Sequence, residues 1–175
     1  MILATILEEG RAELCAQWAE SADAIYPFAA AGLLRTQRDA FANPIGGRTR
    51  AVASLILTGI ITSDCDDELR GGLEEFLRVR AVQEMTPEEA LAPVFAFKEL
   101  FRQYLKSENI PVTWDLRAQL TELESRIDAL ALLAFGIYTH CRDALHEVRL
   151  NDIRRRHSQI LRYMQRHGLD ENEEQ

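Results

Sequence analysis

Apolar residues recur along this chain at intervals of three and four, the period of one face of an α-helix. Leu3, Leu7, Leu14 and Trp18 form the first such face and predict a helix over Ile2 to Ser21. The period lapses between Asp23 and Gly47, where Pro27, Asn43, Pro44 and Gly46-Gly47 punctuate the chain, leaving room for a helical turn at Ala29 to Leu34. Val52, Leu55, Ile56, Leu57, Ile60 and Ile61 then crowd a segment from Arg48 to Thr62, which predicts a largely buried helix. After a turn at Ser63 to Asp66, a third helix is expected from Asp66 to Glu84, with Leu69, Leu73, Phe76 and Leu77 inward. Gly71-Gly72 near its start weakens that helix and suits close helix packing. A fourth is expected from Pro87 to Ser107, opened by Thr86, Pro87 and Glu89 as a Thr-x-x-Glu capping box. Pro93 inside it removes one backbone donor and predicts a kink.

The last element is the longest, from Thr113 to His167. Leu116, Leu120, Leu123, Ile127, Leu130, Ala134, Ile137, Cys141, Ala144 and Val148 keep a strict four-three spacing, the mark of a helix packed along another helix. The seam then slips and resumes as Ile153, His157, Ile160 and Met164, where a long helix bends or changes partners. This seam has more positions than a small bundle can cover, so a homodimer through the long helix, running parallel, is expected, although the sequence does not fix the orientation and the same leucine-rich seam also suits antiparallel core packing within one chain. The pattern predicts an all-α bundle of about five helices, compatible with globin-like packing, and a long C-terminal helix. Residues 1–148 form the helical body on this reading, and 149–175 a helical extension with an acidic tail.

Composition narrows the class. A chain of 175 residues that is 47% hydrophobic can bury a core of its own. The formal charge of −8 disfavours non-specific nucleic-acid binding. The longest apolar run, Ala129 to Ile137, falls far short of a bilayer span, so no membrane partner is expected. Cys15, Cys65 and Cys141 are scattered and without metal-ligand spacing; with Glu8 and Glu9 where a signal peptide would be apolar, a cytoplasmic location is expected.

Candidate chemistry is sparse. Arg78, Arg80 and Gln83 precede the capped helix, whose free N–H groups favour negative charge, so they are candidates for an anion or partner site. The competing reading has them brace the helix corner. Arg154, Arg155, Arg156 and His157, with Arg149, Arg162 and Arg166, form the basic stretch, suited to nucleic acid, to an acidic partner or to a solvated helix end, with no aromatic interleaving for single strands beyond Tyr163. Asn43-Pro44-Ile45-Gly46 reads as a turn opening the second helix more readily than as a ligand loop. His140, Cys141 and His146 are candidates for a haem or metal site, but the two histidines stand six apart and point to different sides of a helix. Asp64, Asp66, Asp67 and Glu68 lack a calcium-loop pattern and suit a helix start. No paired acid and base, phosphate loop or nucleophile elbow is found, so no enzyme and no cofactor is expected.

Three blocks carry a family resemblance. They are Phe41-Ala42-Asn43-Pro44-Ile45-Gly46; then Val79-Arg80-Ala81-Val82-Gln83 with Thr86-Pro87, Ala90 and Phe95-Ala96-Phe97-Lys98; and then Arg126-Ile127-Asp128 through Ala134-Phe135 and Tyr138 to Cys141-Arg142 and Arg149-Leu150-Asn151. Together they resemble the RsbRD N-terminal domain, found at the front of some bacterial stress-signalling co-antagonists and sensor kinases. The second block is the most specific. Gly136 departs from an acidic residue usual in the third. The resemblance implies a regulatory helical domain without catalytic residues, whose usual output module is a STAS domain or a histidine kinase. No such module follows the long helix here, so the expected partner is another protein acting in trans. The alternative expectation is a globin-like sensor of a small molecule, haem included, with a pocket near Phe95, Phe97, Phe135 and His140.

Overall fold

The first apolar face divides into two helices, α1 (Ile2–Glu9) and α2 (Arg11–Ala24), where a single helix is expected from the periodicity. The cause is Gly10, against which the Tyr104 ring packs so closely that a Cβ would lie 2.3 Å from its Cζ. The interruption is shallow, because the Gly10 N–H still donates to Ile6 O and its carbonyl still accepts from Leu14 N. The computed structural model describes residues 2–25 and 44–167. The expected turn at Ala29 to Leu34 lies outside the described residues, as does the start of the first resemblance block.

Four more helices follow: α3 (Pro44–Thr62), α4 (Asp67–Val82), α5 (Pro87–Ser107) and α6 (Trp114–His167). No strand occurs among the described residues, and the chain is an all-α bundle with a long final helix. Side-chain caps set several starts. Asp66 accepts from Leu69 N at 2.8 Å, Thr113 accepts from Leu116 N at 3.3 Å, and Thr86 and Glu89 form both bonds of the capping box. Pro44 stands at the first position of α3, earlier than the expected Arg48, where its missing N–H costs nothing. α5 continues through Pro93, and the Pro93 carbonyl accepts from Trp18 Nε1 at 2.6 Å. That bond ties α2 to the middle of α5 and satisfies the indole of a fully buried tryptophan.

Trp18 anchors the core. Its ring stacks on Phe97 at 5.5 Å and lies tilted to Phe76 at 5.4 Å, and Phe97 in turn meets Phe101. Leu3, Leu7 and Leu14, then Ile56, Leu57 and Ile60, then Leu73 and Leu77 complete the interior; each such side chain contributes about 1.5–3 kcal/mol on burial. α6 packs chiefly on α4 and α5 and touches α3 and α1. Ion pairs Lys98–Asp128 and Arg102–Glu124, both at 2.6 Å, lace α5 to α6. Arg126 of α6 reaches back to the last carbonyls of α3, donating to Ile60 O at 3.1 Å and Ile61 O at 2.9 Å. Those carbonyls have no intrahelical donor, so a helix C-terminus is closed by a cation from another helix.

The long seam finds its partners inside its own subunit. Leu116, Leu123, Ile127, Leu130, Ala134 and Cys141 are buried against the body, with Leu120 and Ile137 partly so. Only the last two seam positions, Ala144 and Val148, are exposed. The seam therefore gives no ground of its own for a second chain. Leu145 is the last α6 residue packed on the core, and beyond it the helix runs on without interruption to His167 as a projecting arm. The seam's phase slip marks this departure.

Candidate functional site

The α4–α5 corner and the base of the arm meet. α4 ends at Val82, and the chain turns through Glu84, which adopts a left-handed backbone with φ 60°. The Glu84 N–H donates to Ala81 O at 3.1 Å and the Met85 N–H to Arg80 O at 3.2 Å, the two bonds of a Schellman closure. No glycine occupies the left-handed position, so the turn carries about 1 kcal/mol of backbone cost. Two contacts from α6 hold this turn. The buried Tyr138 hydroxyl donates to the Met85 carbonyl, and Arg149 pairs with the Glu84 carboxylate at 2.6 Å.

Beneath the corner lies Arg80, only 1% exposed. Its guanidinium sits 3.5 Å from the centre of the Phe76 ring, and its Nη2 donates to Ala22 O at 3.1 Å. A buried guanidinium needs such partners to offset its lost hydration. Arg80 thereby links the end of α2 to α4. The three corner candidates do not converge. Arg80 is in the core. Gln83 caps α4 with its N–H on Val79 O at 3.2 Å and leaves its side chain exposed. Arg78 faces out and pairs with Glu74 one turn earlier. Arg78 also reaches Cys141 of α6; burial pushes that thiol above its ordinary value, and the arginine partly opposes the shift.

Arg154, Arg155, Arg156 and His157 are all exposed on the arm. Arg156 pairs with Asp152 at 2.8 Å, and Arg154 donates to Asn151 Oδ1 at 3.4 Å. The other histidine and cysteine candidates separate: Cys141 is buried, while His140 and His146 are exposed. Among the described residues no three His, Cys, Asp or Glu side chains gather as a metal site. The suggested sensor pocket divides likewise, with Phe97 in the core and Phe95, Phe135 and His140 at the surface. Of the expected Asn43-Pro44-Ile45-Gly46 turn, Asn43 lies outside the described residues and the other three are the first residues of α3.

Tyr138, Glu84 and Arg149 are the residues that join the two regions. The sequence places Tyr138 on the seam side of α6, but the partner of its hydroxyl, 53 residues away, has no sequence signature.

A family model described as the RsbT co-antagonist protein rsbRD N-terminal domain matches residues 12–153. The chain belongs to this family. No curated protein and no solved structure matches it. The match makes the protein a regulatory domain of stress signalling, and it runs through the corner and the base of the arm. Most of the arm, residues 154–167, lies past the end of the RsbRD N-terminal domain match. No helix among the described residues is long and apolar enough to cross a membrane.

Proposed function

We propose that this RsbRD N-terminal domain is a non-enzymatic regulator that acts in trans, with its arm as the contact surface for a separate output protein. The clasp at the corner supports the reading most directly. Tyr138–Met85 and Arg149–Glu84 connect the arm's base to a turn whose underside, through Arg80, reaches the end of α2. A change in how α2, α4 and α5 pack would bear on that turn and so on the arm. Coupling of this kind needs an element with two arrangements, and a left-handed turn held by two side chains supplies a candidate.

The test is co-precipitation from native extract with the full chain and with its Leu150→Asp/Ile160→Asp variant, both changes lying on the exposed arm. Loss of a captured protein in the variant supports the reading. A variant that keeps every captured protein at parental amounts overturns it.

Pairing of two copies belongs to the same proposal, at the level of the body. The seam is filled internally, so this contact uses the outward face of α6 at Leu132, 75% exposed, and Gly136, which has open space around its Cα, with the two helices antiparallel so that the arms, which continue the same face, point apart. A small residue there lets a second backbone come close. Sedimentation of a monomer at micromolar concentration would refute the pairing and leave the action in trans standing.

A further inference from the structure

The arm carries a second heptad stripe, on the face turned away from the body. His146, Leu150, Ile153, His157, Ile160 and Met164 repeat at four-three spacing. Leu150 stands nine residues after buried Cys141, two and a half helical turns, so the new stripe is on the opposite side of α6 from the buried seam. Leu150, Ile153 and Ile160 lie open, 50%, 62% and 57% exposed, and Met164 is half-buried.

Charge says what covers this stripe. Residues 146–166 hold six arginines against two carboxylates, a net of +4 on a chain of −8. Arg149 and Arg156 border one edge of the stripe and Arg154 the other; Glu147 is the acidic residue among the edge positions. Arg149 and Arg156 have partners in Glu84 and Asp152, but both pairs are largely exposed and so readily exchanged. A second copy is a poor fit along the arm. Side by side in parallel, Arg149 would face its partner's Arg154; run antiparallel, the Arg149 and Arg156 edges would face each other. The acidic segment 170–174 of this chain has carboxylates but no apolar residue to fill the stripe. A bilayer is also a poor fit, because the apolar arc is narrow and His157 stands in its middle.

We propose that the arm docks one helix of another protein, a helix with apolar residues at heptad spacing and carboxylates along both edges. This rests on the function proposed above and names the chemistry of its partner.

Two labelled helical peptides of about four heptads test it, with identical leucine and isoleucine cores and edges made entirely of Glu or entirely of Lys. Each is titrated by fluorescence anisotropy against the full chain at about 50 mM and about 300 mM salt. The Glu-edged peptide is expected to bind about tenfold tighter or more, with the gap closing as salt rises. An Arg149→Glu/Arg154→Glu/Arg156→Glu chain should reverse the preference, and Leu150→Asp/Ile160→Asp should bind neither peptide; circular dichroism checks that both variants stay helical. Equal affinity for the two peptides, binding of neither, unchanged binding by the stripe variant, or tighter binding to phosphatidylserine vesicles than to the Glu-edged peptide would each overturn the proposal. If these fail while the stripe variant still loses its native partner, the partner chemistry is wrong and the trans-acting function survives. If that variant keeps every native partner, the function itself falls.

Discussion

Replacing Tyr138 by Phe isolates the clasp between arm and corner. The ring is 3% exposed and its packing is retained in the variant, so the hydrophobic contribution is nearly unchanged. What disappears is one buried hydrogen bond, and the Met85 carbonyl loses the Tyr138 donor. A buried acceptor stripped of its donor costs about 1–3 kcal/mol. For a chain of this size that is a fall in melting temperature of roughly 2–4 °C per kcal/mol, so about 2–12 °C for the variant. In urea, with a slope near 2 kcal/mol/M, the midpoint should drop by about 0.5–1.5 M without a change of slope. Tyr138→Ala, which also removes the ring, should cost about 3–5 kcal/mol and serves as the upper reference. The assay is urea unfolding followed by circular dichroism, with amide exchange at Glu84 and Met85 as the local readout. A Tyr138→Phe midpoint within about 0.1 M of the parent, together with unchanged exchange at the corner, would refute the claim that this bond holds the turn.

Four further outcomes concern other sites. Gly10→Ala should destabilise by about 1–3 kcal/mol because its Cβ would meet the Tyr104 ring, whereas Gly71→Ala, exposed in α4 with nothing within 4 Å, should stabilise by up to about 1 kcal/mol; thermal melts decide both. Thr86→Ala removes one side of the capping box and should cost about 0.5–2 kcal/mol in urea unfolding, mostly recovered by Thr86→Ser. Burial raises the thiols of Cys15, Cys65 and Cys141 above their ordinary 9.0. Below that value each is neutral in both folded and unfolded chains, and their contribution is level. As pH climbs through 9 the unfolded chain loses these protons first, so stability should decline toward the folded values, and Cys→Ser variants should flatten that decline.

Much of the architecture is legible in the sequence because helices announce themselves locally. Thr86 with Glu89 fixed the start of α5, and apolar spacing found α3, α4 and α6. Contacts between distant residues have no such signature. The break falls at Gly10, a weak helix former, and the Tyr104 ring that packs against it, 94 residues on, has no local signature. The seam of α6 illustrates a different limit: its four-three spacing states that a groove is filled, and is silent on whether a helix of the same chain or another fills it. The body fills it here, and the stripe left for others is the weaker one beyond the slip. At the candidate site, the corner and the basic stretch read as two separate features. Arg149–Glu84 makes them neighbours, while Arg80, one of three polar candidates by sequence, belongs to the interior. A charged letter in a helix pattern suggests solvent, and only an aromatic ring and a carbonyl delivered from other segments make its burial tolerable.

An uninterrupted helix that leaves a packed body has a mechanical consequence. From Leu145 to His167 the arm reaches about 33 Å at 1.5 Å per residue. A tilt of about 10° where it leaves the body would carry its tip through about 6 Å, roughly one helical turn. Adjustments too slight to disturb the packed interior would thus arrive at the far end as a sideways sweep large enough to carry a bound segment into or out of reach of its neighbours.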